Sequence, residues 1–155
     1  MTSLTVTING SVHGPRDVRD DLTMNDFLRE YLGMTGTKFG CGAAQCLSCA
    51  IIVDKADGTS YTSPTCIVPA ASFNGKSIRT VEGHAKGGEL TTLQKAFIAH
   101  FAFQCGYCTA GFLNEWPSPA RAPGEDANRA RRSRKDHRRG ARRPPLPLHG
   151  LRQIP

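Results

Sequence analysis

At 155 residues the chain can form one domain or two small ones, and no stretch approaches the ~20 apolar residues of a membrane-spanning helix. The formal charge of +7 is unevenly placed: residues 128–155 hold 10 of the 20 Lys and Arg against one acid, Asp136, and net +9, which leaves residues 1–127 at −2. That excludes a body with a broad basic face for nucleic acid and assigns the charge to an appended tail.

Leu4-Thr5-Val6-Thr7-Ile8 alternates apolar and polar and reads as a half-buried strand. Asn9-Gly10 offers a tight turn into a second strand at Ser11–His13, which Gly14-Pro15 is expected to break. Thr23 can cap a helix from Met24 to Leu32, with Asp26 in its first turn, Gly33 as its stop and Phe27, Leu28, Tyr31 and Leu32 on its buried face. A loop rich in Gly and Cys, 36–49, feeds a buried strand at Ala50-Ile51-Ile52-Val53. Asp57-Gly58 turns the chain, Thr59–Thr62 returns it, and Ser77–Val81 is a last short strand. These elements make a small α+β unit.

Beyond Glu82-Gly83 the pattern becomes helical. Leu90–His100 places Leu93, Phe97 and His100 on one face, a break carries Cys105 and Cys108, and Ala110–Asn114 begins another helix that Trp116-Pro117 stops. The expected division is 1–80, 81–116 and a basic Arg/Pro-rich tail over 117–155.

Six cysteines carry the chemistry. Cys41, Cys46, Cys49 and Cys66 fall as C-x4-C-x2-C-x16-C, the ligand spacing of a plant-type [2Fe–2S] cluster. Structural zinc prefers paired C-x2-C units, and only one such pair lies in this set. Gly36, Gly40, Gly42, Ala43 and Ala44 let backbone N–H groups come close to sulfur around Cys41. Cys105 and Cys108 alone fit a redox pair, half a zinc site or half a cluster, and no βαβ pattern surrounds them. The start of the chain has no basic segment leading into an apolar core, so no targeting signal is expected. In a reducing compartment clustered cysteines bind metal or do redox work.

Five runs occur in order: Thr37-Lys38-Phe39-Gly40-Cys41-Gly42, Gln45-Cys46-x-x-Cys49, Thr80-Val81-Glu82-Gly83, Gln94-Lys95-Ala96-Phe97 and Gln104-Cys105-Gly106-Tyr107-Cys108-Thr109-x-Gly111. Over residues 1 to 115 the chain thereby resembles the small iron–sulfur subunit of the molybdenum hydroxylases, the xanthine dehydrogenase and aldehyde oxidoreductase family, with a lean towards the bacterial aldehyde or isoquinoline oxidoreductase type. The resemblance implies a β-grasp, plant-type ferredoxin-like domain and then a small helical, four-helix-bundle-like domain holding a second [2Fe–2S] cluster. It implies that Cys105 and Cys108 are half of that second ligand set and that Gln104 contacts the pterin of a molybdenum–pterin cofactor in a large partner subunit. Electrons from oxidation of an aldehyde or N-heterocycle would pass through both clusters to a cytochrome c or flavin partner. Location would then be cytoplasmic, or membrane-associated or periplasmic through partners.

The chain departs from the family pattern at two places. Ala44 and Leu47 stand where glycine is usual, and the second C-x-C pair, inside a C-R-C-T-G-Y motif, is absent. With synonymous codons chosen freely, Asp136–Gln153 read one base later spells a helical apolar period followed by that motif. The tail is accordingly read as out of frame, the alternative being a natural disordered tail. A stand-alone [2Fe–2S] ferredoxin with a basic nucleic-acid-binding tail is the alternative function; no aromatic residue follows Trp116 to stack bases. Tyr107 and Trp116 read as packing groups, and His84 and His100 as surface or satisfied core residues.

Overall fold

The computed structural model describes residues 1–115; the expectations for Trp116 and for the tail lie outside them. β1 (Thr2–Ile8) and β2 (Ser11–Val18) form an antiparallel hairpin in which Ile8 faces Ser11, so Asn9 and Gly10 alone make the turn, at φ of 52° and 87°. Two consecutive left-handed residues suit the twist of a two-residue hairpin. Contrary to expectation, Gly14-Pro15 does not end β2. The strand lies at the edge of the sheet, where a missing N–H costs no ladder bond, and the register slips between Leu4 and Val6 beside it.

Thr23 caps the helical segment, its hydroxyl accepting from the Asp26 N–H at 3.1 Å. One α-turn, α1 (Met24–Asp26), passes into a π-helical turn over Phe27–Tyr31, and Gly33 at φ 67° follows the end. Phe27 and Leu28 are buried as expected, and Met24 joins them. Tyr31 is 45% exposed instead, stacked on Phe27 with the Arg16 guanidinium 5.9 Å from its ring centre.

β3 (Ala50–Asp54), β4 (Ser60–Pro64) and β5 (Ser77–Arg79) complete a sheet of order β2-β1-β5-β3-β4, with β1 and β5 parallel and the other neighbours antiparallel. β3 is apolar on both faces because it is covered on both. Its Ile51 and Val53 join Leu4, Val6, Ile8, Phe27, Leu28, Phe73 and Ile78 in the core. A mixed sheet with one helical segment packed on it agrees with the α+β expectation.

Two helices follow. α2 (Thr92–Ala99) starts at a capping box that the T-x-x-Q spelling of Thr91 and Gln94 encodes: the Gln94 N–H donates to the Thr91 hydroxyl and the Thr91 N–H to Gln94 Oε1. α3 (Thr109–Glu115) buries Ala110, Gly111, Leu113 and Asn114. A groove of about 420 Å³ separates α2 from the sheet, lined by Ile52, Arg79, His84, Leu93, Ala96 and Leu113. Among the described residues no helix is long and apolar enough to cross a membrane.

Candidate metal centre

The first four cysteines reach one end of the sheet from two directions. Cys41 and Cys46 lie in the loop ahead of β3, Cys49 immediately precedes that strand, and Cys66 follows β4. Because Ala50 pairs with Pro64, Cys49 and Thr65 stand side by side as the ladder's extension, and the Thr65 N–H and hydroxyl both donate to the Cys49 carbonyl, at 3.3 and 2.8 Å. Behind them the buried Asn25 donates its side-chain amide to the Thr65 hydroxyl at 3.1 Å and its backbone N–H to the Thr65 carbonyl at 3.1 Å. Cys49 and Cys66 are both buried, whereas Cys41 and Cys46 are exposed.

The loop itself is held by its backbone. Arg29 donates to the carbonyls of Thr35 and Thr37, the Lys38 N–H to Ser48 O, and the Gly36 N–H to the Glu82 carboxylate at 2.8 Å. Wrapped this way, it aims the N–H groups of Ala43, Gln45 and Cys46 at the Cys41 sulfur, at 3.4, 3.3 and 3.4 Å. These donors, that of Cys46 foremost, bring the Cys41 thiol down to about 6, so it is a thiolate at neutral pH. Burial pushes the Cys66 thiol up, and a hydrogen bond with the Cys49 thiol adds to that. Gly40 leaves the sulfurs room: a Cβ there would lie 2.8 Å from Cys46 Sγ. Gly42 adopts a left-handed φ of 64°.

Among the described residues no three His, Cys, Asp or Glu side chains are gathered as for a single ion. The Cys41 thiol hydrogen-bonds with that of Cys46 and the Cys66 thiol with that of Cys49, and the charge of Cys41 also acts on Cys66. A two-iron cluster takes two thiolates on each iron, and thiols associated in this way beside an amide-lined loop fit it.

Cys105 and Cys108 are exposed in the turn between α2 and α3, next to the exposed Gln104. Gly106 at φ 78° makes the turn, and Cys108 O accepts the Phe112 N–H inside α3. Three residues tie this segment to the first loop, and none was singled out for that role by spacing. Tyr107, read as a packing group, is 47% exposed and donates its hydroxyl to Phe39 O at 2.5 Å. Gly111 abuts the Leu47 backbone, and the buried Asn114 donates to Ala50 O at 2.7 Å. His84 is a satisfied histidine, its Nε2 2.6 Å from Asn114 Oδ1, and His100 is exposed.

Residues 6–71 match the family described as a 2Fe-2S iron-sulfur cluster binding domain, and residues 80–131 that described as a [2Fe-2S] binding domain. The chain is 42% identical to the 6-hydroxypseudooxynicotine dehydrogenase complex subunit beta of Paenarthrobacter nicotinovorans, over 71% of this chain and 65% of that protein. It is 39% identical to the xanthine dehydrogenase iron-sulfur-binding subunit of Escherichia coli O157:H7, over 72% of this chain and 68% of that one. Among solved structures, quinoline 2-oxidoreductase from Pseudomonas putida 86 is similar at a TM-score of 0.63 and 42% identity, covering 72% of this chain and 65% of that chain. The chain thus spans about two thirds of the length of these two curated relatives. Both cluster-binding families matched in order, together with relatives at this identity, place the chain among the iron–sulfur subunits of the molybdenum hydroxylases.

Proposed function

We propose that the chain is the electron-transfer subunit of a multi-subunit molybdenum-cofactor dehydrogenase that oxidises an aldehyde or N-heterocycle. Cys41, Cys46, Cys49 and Cys66 hold the first [2Fe–2S] cluster, and Cys105 and Cys108 supply half the ligands of a second. A cluster of this kind takes up and releases one electron at a time. This chain's own part is to bind the irons with thiolates, to offset their charge with the amides around Cys41 and to keep the two cysteine segments at a fixed spacing. Gln104, exposed beside Cys105, faces the pterin of the large subunit in this reading, and a cytochrome c or flavin subunit accepts the electrons. The subunit works wherever those partners carry it.

The carrying observation is that the Cys105–Cys108 segment is docked on the first loop by Tyr107, Gly111 and Asn114. A stand-alone ferredoxin has no use for that second segment.

We further propose that the tail after residue 116 is out of frame and that the uninterrupted protein carries the other two ligands. Iron analysis of the purified complex tests both statements. About four iron per chain supports two clusters, and about two supports the first alone. Resequencing that returns one intact frame through residue 155 removes the frame proposal and leaves the first cluster standing.

A further inference from the structure

The Tyr107 hydroxyl reaches across 68 residues of sequence to the carbonyl of Phe39, two positions before Cys41, and their oxygens stand 2.5 Å apart. We propose that this hydroxyl is a positioning residue's contact that raises the reduction potential of the first cluster, by polarising the peptide between Phe39 and Gly40. It rests on the reading that Cys41, Cys46, Cys49 and Cys66 hold a [2Fe–2S] cluster.

The Phe39 carbonyl and the Gly40 N–H are the two ends of one conjugated amide. A donor at the oxygen draws density out of the nitrogen and enlarges the amide dipole, as in any hydrogen-bonded chain. Gly40 backs directly onto a ligand sulfur, since a Cβ built on it would stand 2.8 Å from Cys46 Sγ. A larger dipole at that peptide acts on charge at the cluster, and hydrogen bonding and charge around the sulfurs set the potential. Reduction adds one electron and moves no bond or proton, so the more negative reduced state gains the more from the polarised peptide.

The hydroxyl is held in place from behind. α3 follows Cys108 directly, with Gly111 seated on the Leu47 backbone and Asn114 bonded to Ala50 O, so the turn carrying Tyr107 is fixed both within the Cys46–Cys49 segment and just beyond it. Phe39 and Tyr107 are each about half exposed, so removing the hydroxyl alone disturbs little packing.

The experiment is a potentiometric titration of the full chain with dithionite, followed by visible absorption and electron paramagnetic resonance, with iron measured on each sample. Tyr107→Phe is expected to keep its iron and shift the midpoint to a more negative value. Fluorotyrosine at position 107 keeps the shape with a more acidic hydroxyl and is expected to shift it the other way. Should Tyr107→Phe lose iron, the fluorotyrosine protein decides alone: a raised midpoint supports the proposal and an unchanged one overturns it. Coincident midpoints in iron-loaded proteins overturn the proposal and leave the cluster reading intact. Absence of iron from the unaltered chain overturns the cluster reading, and this proposal with it.

Discussion

Gly111 of α3 lies on the carbonyl of Leu47, so close that a Cβ built on it would stand 2.1 Å from that oxygen. The second cysteine segment is therefore seated directly on the backbone between Cys46 and Cys49. Only a residue with no side chain permits that approach.

Gly111→Ala pits two effects against each other. Helix propensity alone favours Ala over Gly by about 1 kcal/mol. The added methyl meets backbone, which cannot swing aside, and overpacking of this kind costs roughly 1–3 kcal/mol. The clash is expected to win, with a fall in Tm on a thermal melt. A Tm equal to or above that of the unaltered protein would show that α3 is not seated on Leu47.

Ala44 and Leu47 both sit at φ of 56°, a region where an L-residue costs about 1–2 kcal/mol over its right-handed form. This accounts physically for the glycine usual at both positions. Ala44→Gly is the cleaner test, because little side-chain packing is lost. Relief of the left-handed φ less the entropy of an added glycine, about 0.5–1 kcal/mol, leaves a net gain of up to about 1.5 kcal/mol. Chemical denaturation of the metal-free chain should show a higher midpoint, and a lower one would count against the strained loop.

The hairpin, β3 and the Thr23 cap were legible because each is written locally: Asn9-Gly10, an apolar run, a capping residue. The course of β2 through Pro15 was not, because only its place at the sheet edge makes that proline harmless. Tyr107, Gly111 and Asn114 were equally hidden. Their partners Phe39, Leu47 and Ala50 lie 68, 64 and 64 residues away, and no local pattern marks a contact of that range.

Asn114 does what a strand would otherwise do. In the β3–β5 register Ile52 faces Arg79, the last residue of β5, so Ala50 lies two residues beyond that pairing. The Asn114 amide supplies the donor to Ala50 O at 2.7 Å, and its own oxygen meets His84. Asn114→Leu keeps the branched shape but strips the Ala50 carbonyl and His84 of their partner, a loss of roughly 1–3 kcal/mol. His84→Ala leaves the Ala50 bond in place and should cost less. Equal losses on urea unfolding would show that the carbonyl does not depend on Asn114.

Acid should act on the far end of the same sheet. Arg79 forks onto Asp54, Nε to Oδ2 at 2.8 Å and Nη2 to Oδ1 at 2.7 Å, and the Ser60 hydroxyl donates to Oδ1 at 2.6 Å. The hydrogen bonds from Arg79, more than burial opposes, hold the Asp54 carboxyl below its ordinary value. A carboxyl depressed in the folded state contributes stability above its unfolded pKa of about 3.9, and loses that stability as pH falls through the folded value. Both side chains are about one third exposed, so water screens the pair, and the contribution should not exceed about 1 kcal/mol. Asp54→Asn removes the charge at every pH. The two proteins should differ by a constant Tm above about pH 5, and the difference should close as the pH falls from about 4 through the lower value of the folded carboxyl, below which the aspartate is itself neutralised. A gap that persists undiminished at pH 2.5 would mean that the asparagine disturbs packing and that the ion pair is not its source.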